Sequence, residues 1–281
     1  MSANRLRQGL YLPPFGPFGD PLVLVDLAVR AEAAGWDGVF LWDHLVHDDL
    51  PVVDPWTTLA AMAQATSTIR IGPMVTPLAR RRPWVVARQA ATVSRLAGGR
   101  LILGTGLGSD ESGDFSRFGE PTDLGERAGA YDEGLGLLDA VWSARPHRHQ
   151  GTRYQVTLDA GVPVAERIPV WVASSTGHPK VIARAAARDG IFPNFEDHTA
   201  TPTEIADLLV QLRRAGLPPE RPFDVAVAGN ASPAWGEPMA VDVAALARAG
   251  MTWWMESLIH FDPLELSLKI VDAGPPMGVQ G

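Results

Sequence analysis

The sequence predicts an α/β fold, a single (β/α)8 TIM barrel over residues 1–281. Three observations predict it: eight apolar runs short enough to be strands, helix-like segments between them, and a length close to the roughly 250 residues that such a barrel needs. The runs cover residues 8–12, 38–42, 69–75, 100–104, 168–173, 190–193, 223–228 and 250–256. Most are continuous rather than alternating, as parallel strands covered on both faces should be. In a barrel the chemistry sits at the C-terminal strand ends and in the loops that follow them.

The helices announce themselves at their starts. Asp20-Pro21, Asp54-Pro55 and Asp262-Pro263 each place a carboxylate where it can accept an orphan N–H, with proline at the first helical position. Thr201-Pro202-Thr203-Glu204 reads as a capping box. The spacing predicts helices over 20–34, 54–66, 82–96, 126–142, 179–188, 202–215, 237–249 and 263–273. Two stretches exceed a minimal barrel. Residues 105–124 form an extended loop after strand four, rich in Gly, Ser and Asp, and loops of that length are commonly functional. Residues 145–167 are a small insertion before strand five, in which 154–158 reads as an extra strand or a hairpin arm. The Gly/Pro-rich tail from Gly274 should be irregular.

Composition removes several classes. With 24 basic against 32 acidic residues the net charge is −8, which gives no footprint for nucleic acid. The absence of cysteine excludes a disulfide framework, a thiolate metal site and a cysteine nucleophile. No signal-peptide pattern or bilayer-length apolar run is present, so a cytoplasmic protein with no membrane partner is expected.

Strand two runs into Asp43 and His44 at the expected catalytic rim. A neutral imidazole there can exchange a proton near pH 7, although a loop or capping histidine fits as well. His47 and Asp48 follow, but their loop-like spacing and the lack of a distant third ligand leave no metal site expected. Beyond strand three lie Thr76 and then Arg80, Arg81 and Arg82, which would suit an anionic group or simply a solvated basic turn. Gly104-Thr105-Gly106-Leu107-Gly108-Ser109 is not a dinucleotide fingerprint, because Asp110 and Glu111 follow where a helix should open on a pyrophosphate. Close approach of backbone to a flat ligand is the better use of these glycines. After strand five, Ser174, Ser175, Thr176 and Gly177 precede a helix, a composition that suits an anion cradle and also an ordinary N-cap. Trp42, Trp56, Trp84, Trp171, Trp253 and Trp254 lie near strand ends or early in helices; one or two are expected at a ligand and the others in the core.

The ordered series Ala31-Glu32-Ala33-Ala34-Gly35-Trp36-Asp37-Gly38, Leu41-Trp42-Asp43-His44, Asp54-Pro55-Trp56, Ile69-Arg70-Ile71-Gly72, Gly98-Gly99-Arg100, Leu103-Gly104-Thr105-Gly106, Phe118-Gly119-Glu120, Tyr131-Asp132-Glu133 and Val170-Trp171-Val172-Ala173 resembles the luciferase-like oxidoreductase family over nearly the whole chain. That resemblance implies a flavin-class oxidoreductase acting on a small organic substrate, with coenzyme F420 or FMN as cofactor and a slight lean to F420. It implies His44 as the catalytic residue and cofactor contacts from Met74, Val75, Thr76 and Gly106, with a non-prolyl cis peptide placed at Met74–Val75. It implies Ser174, Ser175, Thr176 and Gly177 as the phosphate-binding loop, where many relatives carry paired glycines. Members are often homodimers, and an FMN-dependent one would need a separate flavin reductase. Two other readings stay open: a flavin-binding protein without turnover, and, less favoured, a metal-dependent barrel hydrolase.

Overall fold

Side chains that point by turns into the barrel and out onto the helices build the strands. Along the last strand Trp253 and Met255 enter the barrel interior, while Trp254 packs among the helices. The computed structural model describes residues 5–160, 167–175, 177–195, 198–236 and 241–276. Its strands are β1 (Arg7–Leu12), β2 (Gly38–Leu41), β3 (Arg70–Pro73), β4 (Thr76–Pro77), β5 (Leu103–Gly106), β6 (His147–Gln150), β7 (Gln155–Leu158), β8 (Val170–Ser174), β9 (Gly190–Pro193), β10 (Asp224–Gly229) and β11 (Trp253–Ser257). The helices are α1 (Pro21–Ala33), α2 (Pro55–Ala65), α3 (Pro83–Leu96), α4 (Leu124–Trp142), α5 (Pro179–Ala186), α6 (Pro202–Arg214), α7 (Val243–Ala249) and α8 (Leu264–Ala273).

All but β6 and β7 form one parallel sheet in the order β3-β2-β1-β11-β10-β9-β8-β5-β4. Its two ends, β3 and β4, are consecutive pieces of the same chain segment, so the sheet curls into a nearly closed barrel. The seam is drawn shut by Ile102 N–H donating to the Ile71 carbonyl at 2.9 Å and Leu78 N–H to that of Gly106 at 3.2 Å. Gly72 sits at the closest approach, where an added Cβ would lie 1.9 Å from the Ile102 carbonyl oxygen. Phe40, Trp171 and Trp253 fill the interior, each pair with ring centroids 5.5–5.7 Å apart. No helix of the described residues is long and apolar enough to cross a membrane.

Several boundaries differ from the sequence expectation. The third run divides at a cis Met74–Val75 peptide into β3 and β4. The fourth run sits later than its apolar residues imply. Its paired part is Leu103–Gly106, because Gly104 lets the strand close on the Pro73 carbonyl, 2.5 Å from where a Cβ would stand. The 145–167 insertion contains the antiparallel hairpin β6–β7, seated on α4 by Glu133, which accepts from His149, Thr152, Arg153 and Tyr154. Asp20 and Asp54 cap α1 and α2, and Thr201–Glu204 forms the full capping box of α6. Asp262 does not cap α8; Pro263 takes the N-cap position and offers no side-chain acceptor. The seventh helix opens at Val243, capped by Asp242; of the expected 237–249 span, residues 237–240 lie outside the described residues, as do 277–281 of the tail.

Glu32, near the end of α1, pins the turn into β3. Its Oε1 accepts from Ser67 N–H at 2.9 Å, Thr68 N–H at 2.6 Å, Thr68 Oγ1 at 2.9 Å and Ile69 N–H at 2.9 Å. Burial pushes this carboxyl up, but the donors outweigh it and bring its pKa to about 2. A carboxylate depressed in the folded state stabilises fully above its unfolded value, and that stabilisation is lost as pH falls toward the folded value. The urea midpoint of Glu32→Gln should therefore lie below that of the wild type at pH 6, with the gap closing between pH ~4.5 and ~2. A gap that stays constant over that range would show that the turn does not depend on the charge.

Candidate active site

At the C-terminal end of β2 the chain delivers Trp42, Asp43 and His44 in succession. Asp43 is buried, and its side chain is fully covered. Arg81 binds it through two bonds, Nε to Oδ2 at 2.8 Å and Nη2 to Oδ1 at 2.6 Å. Arg80 Nη2 donates to Asp43 Oδ1 at 3.0 Å and to the Asp43 carbonyl at 2.9 Å. Thr76 Oγ1 donates to Asp43 Oδ2 at 2.9 Å and accepts from Trp56 Nε1 at 3.2 Å. The other arm of Arg80, Nη1, donates to Asp114 Oδ1 at 2.6 Å. Asp114 in turn meets His44 Nδ1 through Oδ2 at 2.5 Å, and its Oδ1 accepts Leu45 N–H at 2.6 Å. The four charged side chains, two acidic and two basic, cancel.

Burial pushes the Asp114 carboxyl up, but its bonds to His44 and Leu45 N–H and the charge of Arg80 outweigh this and hold it below the usual carboxylate range. Burial pulls the Arg80 guanidinium below its ordinary value, with Asp43 and Asp114 opposing. Arg80 and Arg81 are thus committed inside the protein rather than offered to an anion at the mouth; Arg82 stays exposed.

The loop that brings Asp114 is tied down along its length. Asp110 Oδ1 accepts Phe115 N–H at 2.7 Å and Ser116 N–H at 2.9 Å. Arg127 lies 4.6 Å over the buried Phe115 ring and donates to the Gly108 carbonyl at 3.2 Å.

The barrel mouth has two characters. One side is aromatic: Trp42 lies 5.3 Å from Tyr11, 5.8 Å from Phe15 and 5.9 Å from His44, centroid to centroid. Phe15 also stacks on His47 at 4.2 Å, and His47 Nε2 meets His260 Nε2 at 3.2 Å. The other side is a floor of small residues, with Gly106 against Val75 and Ala173, both partly open. His44 Nε2 has no partner among the described residues, and the buried Trp42 indole N–H has none either. A buried donor left unmet costs about 1–3 kcal/mol, so the mouth suits a flat ligand carrying an acceptor. Among the described residues no three His, Cys, Asp or Glu side chains are grouped to hold a metal.

The other expected site residues fall as follows. Met74 is buried in the barrel interior, and Thr76 is buried with its hydroxyl engaged, so it offers a ligand only backbone. Ser174 ends β8, Ser175 and Gly177 are exposed after it, and Thr176 lies outside the described residues. His178, not a serine or threonine, caps α5. Of the tryptophans, Trp56, Trp171, Trp253 and Trp254 are core, and Trp42 alone of the six stands among the aromatic groups around His44. Sequence reading missed Asp114, Phe15 and His260. The acidic run that contains Asp114 was legible, but nothing in its spacing said that it folds back onto strand two.

The model of the luciferase-like monooxygenase family matches residues 7–269. The chain belongs to that family. It is 34% identical over 176 residues, 60% of this chain and 52% of the relative, to the F420-dependent glucose-6-phosphate dehydrogenase of Amycolatopsis mediterranei. The chain thus spans about half the length of the curated relatives it matches. Its fold is similar to that of an F420-dependent secondary alcohol dehydrogenase solved with an F420–acetone adduct, with TM-score 0.75, 17% identity and coverage of 96% of this chain and 98% of that one. It is also similar to the FMN-bound oxygenating constituent of 3,6-diketocamphane monooxygenase of Pseudomonas putida, with TM-score 0.72, 15% identity and coverage of 95% and 97%.

Breaking a buried ion pair from one side leaves a charge uncompensated and costs about 3–5 kcal/mol. Asp43→Asn should therefore destabilise the fold by about 3 kcal/mol in urea unfolding, whereas Arg82→Gln, on an exposed side chain, should stay within about 0.5 kcal/mol. Equal effects of the two changes would mean that the buried network does not organise the strand ends.

Proposed function

We propose that this family member is a flavin-class oxidoreductase acting on a small organic molecule, with coenzyme F420 favoured as its cofactor. The observation that carries the reading is the pairing, at one mouth, of an imidazole Nε2 without a protein partner and a floor of small residues beside it. The floor at Val75, Gly106 and Ala173 leaves room for one face of a planar ring, and the Trp42 N–H supplies a donor for a ring acceptor. Ser174, Ser175, Thr176 and Gly177 would hold the phosphate, and the backbone from Met74 to Thr76 would lie against the ring. When bound, such a cofactor supplies the hydride or oxygen chemistry, and the protein supplies position and electrostatics. His44 would hold or take a proton at Nε2 from the bound substrate. The aromatic side at Tyr11, Phe15 and Trp42 would exclude water from that exchange.

The relatives named as F420-dependent dehydrogenases support the cofactor preference. Monooxygenation with reduced FMN, fed by a separate reductase, is the second reading, supported by the similar fold of the FMN-bound oxygenating constituent. Fluorescence titration of the purified protein with F420 and with FMN, each oxidised and reduced, tests both. Saturable binding of F420 is expected; preference for reduced FMN would move the assignment to monooxygenation, and binding of neither would remove it. His44→Asn should lower turnover by about 100-fold or more while leaving cofactor affinity within about threefold. Unchanged turnover would take His44 out of the chemistry.

A further inference from the structure

We infer that Asp114, delivered by the long loop after β5, is a positioning residue that fixes the His44 tautomer so that Nε2 presents a lone pair to the mouth. The inference rests on the reading of His44 as the proton-transfer residue, but its geometry stands apart from any cofactor. An ionised carboxylate only accepts hydrogen bonds. With Asp114 Oδ2 2.5 Å from His44 Nδ1, the neutral ring must carry its proton on Nδ1. Nε2 is then bare, able to take a proton from a ligand and to return it later.

Asp114 is itself held in one pose. Its Oδ1 accepts from Leu45 N–H at 2.6 Å, Arg80 Nη1 at 2.6 Å and, more distantly, Val46 N–H at 3.4 Å. Every donor other than His44 converges on Oδ1, which leaves Oδ2 to the imidazole. Arg80 is the hinge of the arrangement, since its second arm grips the Asp43 side chain and backbone. The bare nitrogen thus depends on strand two, the turn after β4 and the loop after β5 meeting at one guanidinium.

This asymmetry makes the isosteric variant decisive. In Asp114→Asn the carbonyl oxygen stays at the Oδ1 position, because only an acceptor satisfies the donors there. The amide nitrogen must then face His44 Nδ1 and donate to it, which drives the ring proton to Nε2. The substitution keeps the shape and inverts the tautomer. A purely structural role for Asp114 would leave the tautomer free to stay as it was.

Long-range proton–nitrogen NMR of 15N-histidine-labelled protein, without cofactor and at a pH where the ring is neutral, reads this directly. His44→Asn identifies the His44 signals by their disappearance. The wild type should show His44 protonated at Nδ1, and Asp114→Asn should show it protonated at Nε2. A wild-type ring protonated at Nε2 overturns the inference, even if the variant fails to fold. An unaltered tautomer in a folded Asp114→Asn overturns it equally. With cofactor bound, Asp114→Asn should lower kcat by about 100-fold or more and leave KM within about threefold. Failure of both F420 and FMN to bind, with the Nδ1–H tautomer present, would remove the oxidoreductase reading and leave this one standing.

Discussion

The carboxylate of Asp43, shut between Arg80 and Arg81, is the constraint on which the rest of the site depends. It lies at the end of β2 and draws in the turn after β4, while Thr76 and Trp56 close its remaining side. A buried ion pair is weak evidence for stability, since desolvation offsets most of the attraction. What it does supply is direction. With Nη2 bound to both the Asp43 side chain and its carbonyl, the free arm of Arg80 points to Asp114. The order of contacts therefore runs from a buried strand end outward to the imidazole, so the imidazole inherits the rigidity of the barrel.

That rigidity has a second source in the seam. Gly72 and Gly104 let β3 and β5 approach more closely than side chains there would permit. Val75, next along the chain, stands beside Gly106, where it forms part of the floor. Closing the barrel and shaping the mouth are one act of packing at this edge.

Much of this was legible in the sequence. Continuous apolar runs marked the strands, and Asp-Pro pairs marked α1 and α2, because both signals are local and each has a single cause. Where a second cause competed, the reading slipped. Asp262-Pro263 carries the same letters as the other starts, yet proline itself takes the N-cap. Thr105 and Gly106 lack apolar side chains and so fell outside the run that ended at Gly104, although they belong to the paired part of the strand, Leu103–Gly106. The three arginines after strand three read either as a partner for an anion or as a solvated basic turn; Arg82 is exposed, whereas Arg80 and Arg81 fit neither reading, being committed to Asp43. Asp114 was invisible as a partner of His44 because the two stand 70 residues apart, and no periodicity reports where a loop returns. His44 itself, by contrast, was marked by its place at a strand end.

The groups joined to His44 through Asp114, Arg80 and Asp43 gather on one arc of the barrel, at the ends of β2, β4 and β5. Among the described residues the loops after β9 and β10 carry none of that network, and the loop after β11 reaches the mouth only through His260, which meets His47; the loop after β10 is instead held by Glu256, which accepts from Ala231, Ser232, Trp235 and Trp254. This separation gives the molecule room for evolutionary change. Loops on the far arc can be lengthened, shortened or recoloured to admit new molecules without rewiring the arc that handles protons. The loop after β5 has no such licence, for a single-residue deletion ahead of Asp114 would move the carboxylate out of register with the imidazole. Variation among descendants of this chain should therefore be lopsided, with one half of the rim kept and the other half spent on diversity.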